Sequence, residues 1–467
     1  MNEFSTLIAR QKARLPALAK TTAMERIRKL RDLYRAVYDA RDEMVEISRK
    51  ELGLCEIDAL MQLMMIKSQT DFIAEHLEAW MAPQPIPNLG GQLIGKKAWV
   101  RYEPKGLMLH IASWNAPTGI ALGPAGFGIA AGNAVVVKPS ELTPASASFL
   151  RRVVGSVFPE DEFAIVEGGH ETVSALLQQP FNHIAYVGGH GGGRAVMRGA
   201  AEHFADITLE MGGKNPVLVD PSADIMDAAD KVARWRLPNA GQICVAPDYV
   251  LIHPAQRDDF VAGFARTASA MYNPAGKGFD QSPEFPRIVS DGHFQRIKGL
   301  IDDALEKGAH LAFGGATDAT TRFIAPTVLT GVTEDMKIMK EEVFGPVLSV
   351  MDCATPEEIL AAVGRRFKPL ALYIYAKDPA RAQFYMANTS SGAAVINNCG
   401  IQAANPTVPF GGVNHSGVGR LGGQSAFAEF CNPRTVVEDP CEPSPHPAGG
   451  PPYGPGMKEF FLQMIQP

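Results

Sequence analysis

The chain has 467 residues, of which 46% are hydrophobic and 20% are charged, and its formal net charge is −6. This composition is typical of a folded globular protein and excludes a fibrous or disordered one. The length exceeds what a single hydrophobic core usually accommodates, so we expect at least two domains. The mildly acidic balance provides no general attraction to nucleic acid.

The first twenty residues, 1–20, are polar and lack the apolar segment of a secretory signal. No stretch reaches the roughly 18 apolar residues of a membrane-spanning helix. Six cysteines are scattered along the chain without the spacing of a zinc site, and a disulfide framework is not expected at this length. The sequence therefore predicts a soluble, cytoplasmic protein with reduced thiols, no metal site and no membrane partner.

The chain begins with predicted helices. Between residues 24 and 49, apolar side chains recur at the spacing of one helical face. Residues 57–81 continue in helical style and are rich in Met, which we interpret as core packing rather than as a cofactor site. Residues 83–104 contain several Pro and Gly and end in a strand pattern, so they predict a protruding β-arm.

From Gly106 onward, short apolar segments alternate with helical ones. The first series predicts strands at residues 107–112, 134–137, 163–166, 183–187 and 207–209. The second series predicts strands at residues 249–252, 347–351, 371–375 and 393–396. Strands that are apolar almost throughout indicate parallel sheets covered by helices on both faces. We therefore expect an α/β fold with two Rossmann-type domains, divided near Gly212 and Gly213.

Two segments at the ends of predicted strands could bind a nucleotide. Glycines recur over residues 188–193, where the backbone could approach a pyrophosphate at a helix start, although a flexible turn is an equal alternative. Lys138, Ser140 and Glu141 follow another strand and could bind ribose hydroxyls. Taken alone, this second segment is better explained as an ordinary solvated helix start.

Three further residues have side chains suited to acyl transfer. Glu210 follows a strand and could act as a general base. Cys244 lies in a segment of poor helical character and could be a nucleophile. Asn115 follows another strand and could donate its amide to an oxyanion. Individually, a surface carboxylate, a buried inert thiol and a turn-forming amide are the simpler interpretations.

Taken in order along the chain, these segments resemble the motifs of the aldehyde dehydrogenase superfamily, over residues 22–437. The residues after Cys244 and residues 451–454 are similar to the class 3 branch, which includes coniferyl aldehyde dehydrogenases. The six matching motifs are Trp114-Asn115, Lys138-Pro139-Ser140-Glu141, Leu209-Glu210-Met211-Gly212-Gly213-Lys214, Gly241-Gln242-Ile243-Cys244, Glu342-Val343-Phe344-Gly345-Pro346 and Pro409-Phe410-Gly411-Gly412.

The resemblance implies a catalytic role for three residues. Cys244 would attack the aldehyde carbon to give a thiohemiacetal, and hydride transfer to a nicotinamide would leave a thioester. Asn115, with the backbone N–H of Cys244, would hold the oxyanion. Glu210 would activate the water that hydrolyses the thioester.

The resemblance also implies NAD as the cofactor, with NADP possible. Lys138 and Glu141 would bind the adenosine ribose, and a carboxylate near the 2′-hydroxyl repels a 2′-phosphate, which favours NAD. The class 3 branch often accepts NADP despite this Glu. The other implied cofactor-binding residues are Trp114, Ser140, Gly188, Gly189, Gly212, Glu342 and Phe344.

Three positions depart from the family pattern. The usual Phe-Thr-Gly-Ser is replaced at residues 186–189 and more glycines follow, which predicts a more mobile turn and weaker cofactor binding. Ile243 precedes the cysteine where Thr is common, and predicts a more apolar substrate funnel. Pro238 stiffens the approach to the cysteine segment.

The expected domain organisation follows from the same resemblance. Residues 1–82 and 105–212 would form the NAD(P)-binding domain, and residues 213–410 the catalytic domain. Residues 83–104 and 411–440 would form an oligomerisation arm, followed by an irregular tail at 441–467. The strands of the arm predict pairing between subunits, hence a homodimer or a homotetramer.

We therefore expect an NAD(P)-dependent aldehyde dehydrogenase whose substrate is an aromatic aldehyde such as coniferaldehyde, or a medium-chain aliphatic one. One alternative is an acylating enzyme that passes the thioester to coenzyme A, which would not need Glu210. The other is a non-catalytic relative that serves as a binding or structural protein. The presence of Cys244, Asn115 and Glu210 argues against this second alternative.

Overall fold

The computed structural model describes residues 3–90, 93, 95–403, 405–440, 451 and 453–467. The chain begins with four helices, which are followed by two regions in which strands and helices alternate. The helices are α1 (Glu3–Leu18), α2 (Ala23–Asp39), α3 (Arg41–Leu52), α4 (Glu56–Met81), α5 (Pro117–Ala131), α6 (Pro144–Gly155), α7 (His170–Leu177), α8 (His190–Ala201), α9 (Ile225–Arg236), α10 (Pro254–Tyr272), α11 (Asp291–Glu306), α12 (Lys337–Lys340), α13 (Pro356–Gly364), α14 (Pro379–Asn388), α15 (Gly423–Glu429) and α16 (Met457–Met464).

The strands are shorter than the helices and most of them are buried. They are β1 (Gln84–Pro85), β2 (Lys97–Pro104), β3 (Leu107–Ile111), β4 (Ala134–Lys138), β5 (Phe163–Ile165), β6 (His183–Gly188), β7 (Asp206–Met211), β8 (Pro216–Val219), β9 (Tyr249–Ile252), β10 (His310–Phe313), β11 (Thr317–Asp318), β12 (Phe323–Ile324), β13 (Thr327–Thr330), β14 (Val347–Asp352), β15 (Ala371–Tyr375), β16 (Ala393–Ile396), β17 (Gly417–Val418) and β18 (Cys431–Glu438).

The helical start of the chain is confirmed and has recognisable local causes. Thr22 caps α2, because its side chain accepts a hydrogen bond from the backbone of Glu25, whose carboxylate bonds back to Thr22. The face of α2 that includes Leu30, Leu33 and Val37 is buried in a cluster with residues of α4 and α5. These helices therefore cover one side of the first sheet.

The first sheet has the strand order β17-β7-β6-β3-β4-β5. Its strands run parallel, except that β17 is antiparallel to β7. Alternate residues of β4 face opposite layers: Val135 and Val137 belong to the cluster with α2 and α4, whereas Val136 belongs to the cluster with α1. Burial on both faces explains why the strand is apolar throughout.

The second sheet has the order β10-β13-β14-β9-β8-β15-β16, with β10 antiparallel and the other strands parallel. All four strands predicted for this region are present, together with three that were not predicted from the sequence, β8, β10 and β13. The chain leaves the first sheet at Met211 and enters the second at Pro216, on either side of Gly212 and Gly213. The α/β fold with two parallel sheets is thus confirmed.

A third sheet forms an arm from β1, β2 and β18, and its strands are antiparallel. Only part of the range 411–440 lies there, because β17 pairs with β7 and Phe427 of α15 packs in the cluster beneath the first sheet. The tail was expected to be irregular, but Met457–Met464 is a helix with exposed apolar side chains; residues 441–450 and 452 lie outside the described residues. Among the described helices, none combines the length and the hydropathy needed to cross a bilayer.

Candidate active site

A cavity of about 1090 Å³ lies where the carboxyl ends of the first sheet's strands meet the second domain. Parallel strands place the residues that follow them at one edge, which is where α/β proteins bind ligands. The cavity brings together the three predicted catalytic residues and six of the predicted cofactor-binding residues. These are Asn115, Glu210, Cys244, Trp114, Gly188, Gly189, Gly212, Glu342 and Phe344.

Cys244 follows a tight 3-10 turn, Pro238–Gly241, in which Asn239 and Ala240 both have a φ of 51°. Such left-handed backbone is costly for these side chains, so the turn is held by its surroundings. Asn215 Nδ2 donates to the carbonyl of Cys244 at 2.8 Å. The thiol is half-buried, and burial together with the negative charge of Glu210 raises its pKa well above the ordinary value. The resting thiol therefore keeps its proton at neutral pH.

Glu210 lies on β7, opposite Gly417 of β17, with its side chain almost fully buried. Burial raises the pKa of its carboxyl to about 7, although a hydrogen bond with the Cys244 thiol lowers it in part. Among the described residues, its Oε1 atom has no hydrogen-bond partner. The carboxylate can therefore gain or lose a proton near neutral pH, and one oxygen is available to accept it.

Asn115 is fixed in orientation by three hydrogen bonds. Its Oδ1 accepts from Ser113 Oγ at 2.7 Å, and its Nδ2 donates to the carbonyl of Gln242 at 3.0 Å. Its own carbonyl accepts from Asn239 Nδ2 at 2.7 Å. Two of these bonds reach the segment that leads to Cys244. An amide nitrogen carries two N–H groups, so one remains to donate toward the cavity.

The glycine turn is shaped by Tyr186, whose hydroxyl donates to the carbonyl of Gly189 at 2.8 Å. A Cβ at Gly188 would lie 2.5 Å from that hydroxyl oxygen, and a Cβ at Gly192 would lie 2.2 Å from it, so neither position accepts a side chain. Helix α8 begins at His190. Residues 191–193 are therefore helical, whereas the glycine pattern predicts a turn that extends over residues 188–193.

The Glu342 side chain lies against the backbone of Gly212 and Gly213, the two glycines that follow Glu210 in its motif. A Cβ at Gly212 would lie 1.9 Å from Glu342 Oε2, and the backbone N–H of Gly213 donates to the same carboxylate. Burial, followed by the charges of Asp248 and Glu210, raises the pKa of Glu342 to about 8. Glycine at 212 is thus required for the carboxylate to reach its place.

Phe344 has a φ of 46°, a left-handed conformation that is rare for a bulky residue. Its ring meets the edge of Trp114 at a centroid distance of 5.4 Å, and Trp114 meets His293 at 5.2 Å. The three rings form an aromatic wall on one side of the cavity.

Lys138, Ser140 and Glu141 do not line this cavity. Lys138 is 2% exposed, and its Nζ lies 2.9 Å from Oε2 of the exposed Glu141. Burial opposes ionisation of Glu141, yet the hydrogen bond from Lys138 holds the pKa of Glu141 below its ordinary value. Ser140 Oγ accepts from the backbone N–H of Leu142. These residues form a separate, charged group at the end of β4.

Sequence reasoning missed several polar residues of the cavity wall. His190 Nε2 bonds the carbonyl of His415 at 2.9 Å, and the His415 ring stacks on Phe367 at 3.4 Å. His190 lies within the predicted glycine turn, where the glycines and not the histidine carried the signal, and Phe367 and His415 lie outside the matching motifs. The missed lining residues include His190, Arg194, His293, Arg296, Arg365, Arg366, Phe367, Lys368 and His415.

The cavity fits a dinucleotide. Gly189 is open, since a Cβ there would meet no atom within 4 Å. Helix α8 starts at this point without a side-chain cap, so no cap occupies its first N–H groups, which is the arrangement that favours an anion. The Glu342 carboxylate, held against Gly212, is an acceptor for ribose hydroxyls.

Comparison with known proteins agrees with the motifs. Residues 2–436 match the sequence profile of the family described as "Aldehyde dehydrogenase family". The "Probable coniferyl aldehyde dehydrogenase" of Pseudomonas aeruginosa is 33% identical over 100% of this chain and 97% of its own. The "Aldehyde dehydrogenase, dimeric NADP-preferring" of Canis lupus familiaris is 32% identical over 94% of this chain and 95% of its own.

A similar solved structure is described as "Substrate bound state of Staphylococcus Aureus AldH". It is 32% identical, covers 99% of both chains and has a TM-score of 0.90. The match runs through both parallel sheets and the arm. The chain therefore belongs to the aldehyde dehydrogenase family, with the coniferyl aldehyde dehydrogenases among its relatives.

Proposed function

We propose that this chain oxidises an aldehyde to the carboxylic acid through a thioester on Cys244. As a family member it is an NAD(P)-dependent aldehyde dehydrogenase. The assignment of residues is carried by one observation: a half-buried thiol, a buried carboxylate and an oriented amide converge in one cavity beside a glycine turn.

In the first step, the sulfur of Cys244 bonds to the aldehyde carbon and the carbonyl oxygen becomes an oxyanion. The thiol needs a base because its pKa is raised, and Glu210, which is bonded to it, accepts the proton. The remaining N–H of Asn115 Nδ2 stabilises the oxyanion, and such a donor contributes ~3–4 kcal/mol. The C–H bond of the tetrahedral carbon then breaks, the oxyanion re-forms C=O and a thioester remains; bound NAD(P) would supply the acceptor for the hydrogen and its two electrons, which leave together as hydride.

In the second step, water hydrolyses the thioester. Glu210, once it has released its first proton to solvent, takes a proton from water through Oε1, which has no partner among the described residues. The hydroxide bonds to the acyl carbon, the C–S bond breaks, the acid leaves, and Cys244 is restored. A pKa of about 7 suits a base that works at neutral pH. This arrangement favours hydrolysis over transfer to coenzyme A.

Residues of the cavity, and others outside it at the end of β4, would hold the cofactor. Gly188, Gly189 and the start of α8 suit the pyrophosphate, and Glu342 suits the ribose next to the nicotinamide. Lys138 and Glu141 lie at the same sheet edge and suit the adenosine ribose. Because Glu141 is ionised, we propose NAD as the preferred cofactor and NADP as a weaker one.

The proposed substrate is an apolar aldehyde, aromatic such as coniferaldehyde or medium-chain aliphatic. Ile243, directly before the nucleophile, is half-buried but is not among the residues that line the cavity. It packs against the hydrophobic core of the second α/β region, as Trp235 does. The apolar substrate is therefore supported by the coniferyl aldehyde named for a relative rather than by Ile243.

We also propose that two chains associate through the arm. Strand β18 is the edge of its sheet, and Val437 on it is 44% exposed. Strand β16 is the edge of the second sheet, where Ile396 is 41% exposed. Open edges with exposed apolar residues favour pairing with another chain. A cytoplasmic homodimer or homotetramer is therefore expected, and gel filtration at the mass of a monomer would contradict it.

The decisive test of the mechanism is Cys244→Ala, with Cys55→Ala as the matched control. Cys55 is also half-buried but lies at the start of α4, away from the cavity. With an aldehyde panel and NAD or NADP, we expect Cys244→Ala to form no NAD(P)H while still binding cofactor, and Cys55→Ala to behave as the parent. Near-normal turnover of Cys244→Ala would refute the mechanism, and acyl-coenzyme A formed on adding coenzyme A would favour the acylating alternative.

A further inference from the structure

The segment that carries Glu342 and Phe344 is an irregular loop between α12 and β14, residues 341–346. We call it the carboxylate loop. It forms no helix or strand, so its backbone polar groups must find partners elsewhere. Three charged side chains from other segments, those of Arg296, Lys214 and Asp248, supply several of these partners.

Arg296 of α11 holds two carbonyls of the carboxylate loop. Its guanidinium donates to the carbonyl of Glu342 at 3.0 Å and to that of Val343 at 2.6 Å. Lys214 Nζ donates to the carbonyl of Glu341 at 3.2 Å. Both cations thus bond the backbone of the loop, and Arg296 Nη1 also lies 3.7 Å from Oε2 of Glu341.

Asp248 supplies the acceptor that the same loop needs. It is 1% exposed, and its Oδ2 accepts the backbone N–H of Val343 at 2.9 Å. Its Oδ1 accepts a hydrogen bond from Lys214 Nζ. A buried carboxylate that is bonded to both an ammonium and an amide holds its neighbours firmly. Asp248 is therefore hydrogen-bonded both to the carboxylate loop and to Lys214, one of the two cations that bond the backbone of this loop.

Asp248 is also linked by hydrogen bonds to the segment that contains Cys244. That segment ends at Asp248. Its backbone N–H donates to the carbonyl of Asn215 at 2.9 Å. Asn215 Nδ2 in turn donates to the carbonyls of Cys244 at 2.8 Å and Ala246 at 3.0 Å. One residue thus joins the segment of the nucleophile to the segment of the Glu342 carboxylate.

We infer that Asp248 is a positioning residue, which sets the Glu342 carboxylate relative to the Cys244 sulfur and thereby tightens binding of the nicotinamide half of the cofactor. The inference rests on the proposed function, because it takes Cys244 and Glu342 as parts of one site. The competing explanation is that Asp248 serves folding alone, since breaking a buried ion pair is itself destabilising.

Asp220 is a matched control for that explanation. It is also 1% exposed, accepts from Arg381 Nε at 2.9 Å and from Tyr385 Oη at 3.1 Å, and does not line the cavity. Asp220→Asn breaks a comparable buried network away from the site. A purely structural role predicts the same behaviour for variants at both aspartates.

The experiment measures the dissociation constant of NADH by its fluorescence, together with the melting temperature, for Asp248→Ala, Asp248→Asn and Asp220→Asn. We expect Asp248→Ala to weaken NADH binding by on the order of tenfold, the value of one lost charge-assisted hydrogen bond. Asp248→Asn should weaken it less, because its amide oxygen can still accept from Val343. Asp220→Asn should lower the melting temperature but bind NADH like the parent.

In turnover assays, the Asp248 variants should raise KM for NAD more than they lower kcat. Parent-like NADH binding by both Asp248 variants would overturn the inference, as would equal weakening in Asp220→Asn. If Asp248→Ala does not fold, Asp248→Asn alone decides by the same criterion. A parent that binds NADH but oxidises no aldehyde would overturn the proposed function instead, and the NADH measurements would still judge Asp248.

Discussion

The carboxylates at the two ends of the proposed cofactor site have pKa values that are shifted in opposite directions. At the catalytic end, burial raises the pKa of Glu210 to about 7, and burial with the charges of Asp248 and Glu210 raises the pKa of Glu342 to about 8. At the adenosine end, Glu141 is exposed and paired with Lys138, and its pKa is lowered.

For Glu210 and Glu141, this difference matches the proposed tasks. A group that transfers protons must change its charge within the working range of pH, and burial without a salt-bridge partner achieves that at Glu210. A group that repels a 2′-phosphate benefits from a constant charge, which the ion pair with Lys138 maintains at Glu141. Glu342 is proposed to bind a ribose although its pKa is raised, and a carboxyl can hydrogen-bond hydroxyls in either protonation state. The motifs of the sequence marked both ends, but only the surroundings of each carboxylate show which task it suits.

The largest effect is expected for Glu210→Gln, which tests the catalytic end. Gln cannot accept a proton from water, so we expect thioester hydrolysis to slow by about 10²–10⁴, the usual contribution of a general base. Gln also cannot take the proton of Cys244, but a thiol can lose its proton to water before it reacts, so thioester formation should slow less than hydrolysis. Rapid-mixing measurements should then show a slowed burst of NADH followed by a still slower steady state. The steric similarity of Gln keeps the cavity filled.

Glu334→Gln is a suitable control, because Glu334 lines the same cavity but is ion-paired with Arg366 and does not contact Cys244. It should retain both phases. Equal slowing of the burst and of the steady state in Glu210→Gln would contradict a larger role of Glu210 in hydrolysis than in activation of the thiol.

The next effect concerns pH. Burial raises the pKa of Glu210 to about 7, and only the ionised form acts as a base. Below that pH, the ionised fraction and hence the rate of hydrolysis should fall by about tenfold per unit, whereas above pH 8 this group should cause no further gain. Hydrolysis of preformed acyl-enzyme, followed from pH 5 to 9, measures this directly.

In Glu210→Gln the same step should be slow and should lose the inflection near pH 7. An inflection that persists in this variant would assign the titration to another group, of which Glu342, with its pKa of about 8, is the nearest candidate.

The comparison also shows what the sequence could predict of the fold. Strands such as β3 and β4 are buried on both faces, so their continuous apolar runs identified them. Strand β8 begins at a proline, a residue that usually marks a turn or a strand edge, and β13 has a threonine at each end, so neither was identified as a buried strand. Helix α16 was missed because the Pro- and Gly-rich composition before it dominates that region.

The residues of the site also differ in whether the sequence could predict them. Short motifs marked Cys244, Glu210 and Glu342, because those side chains lie within glycine-containing segments that the family shares. Arg296 and Asp248 act through the backbone of a distant loop, and only the folded chain brings them there. A role exercised on backbone atoms leaves no pattern of residue types at a fixed spacing.

The smallest effect is expected at the adenosine end, for Glu141→Gln. Removing the carboxylate frees Lys138 from its ion pair and removes the charge that would repel a 2′-phosphate. We expect the preference for NAD over NADP to fall by several-fold, on the scale of ~1 kcal/mol for an exposed ion pair, with little change in kcat. Ratios of kcat/KM for the two cofactors measure it.

The matched control is Glu160→Gln, an exposed carboxylate paired with Arg10 at the opposite end of β4. An unchanged ratio in Glu141→Gln would mean that the pair at the end of β4 does not meet the adenosine ribose, and would restrict the cofactor site to the residues around the cavity.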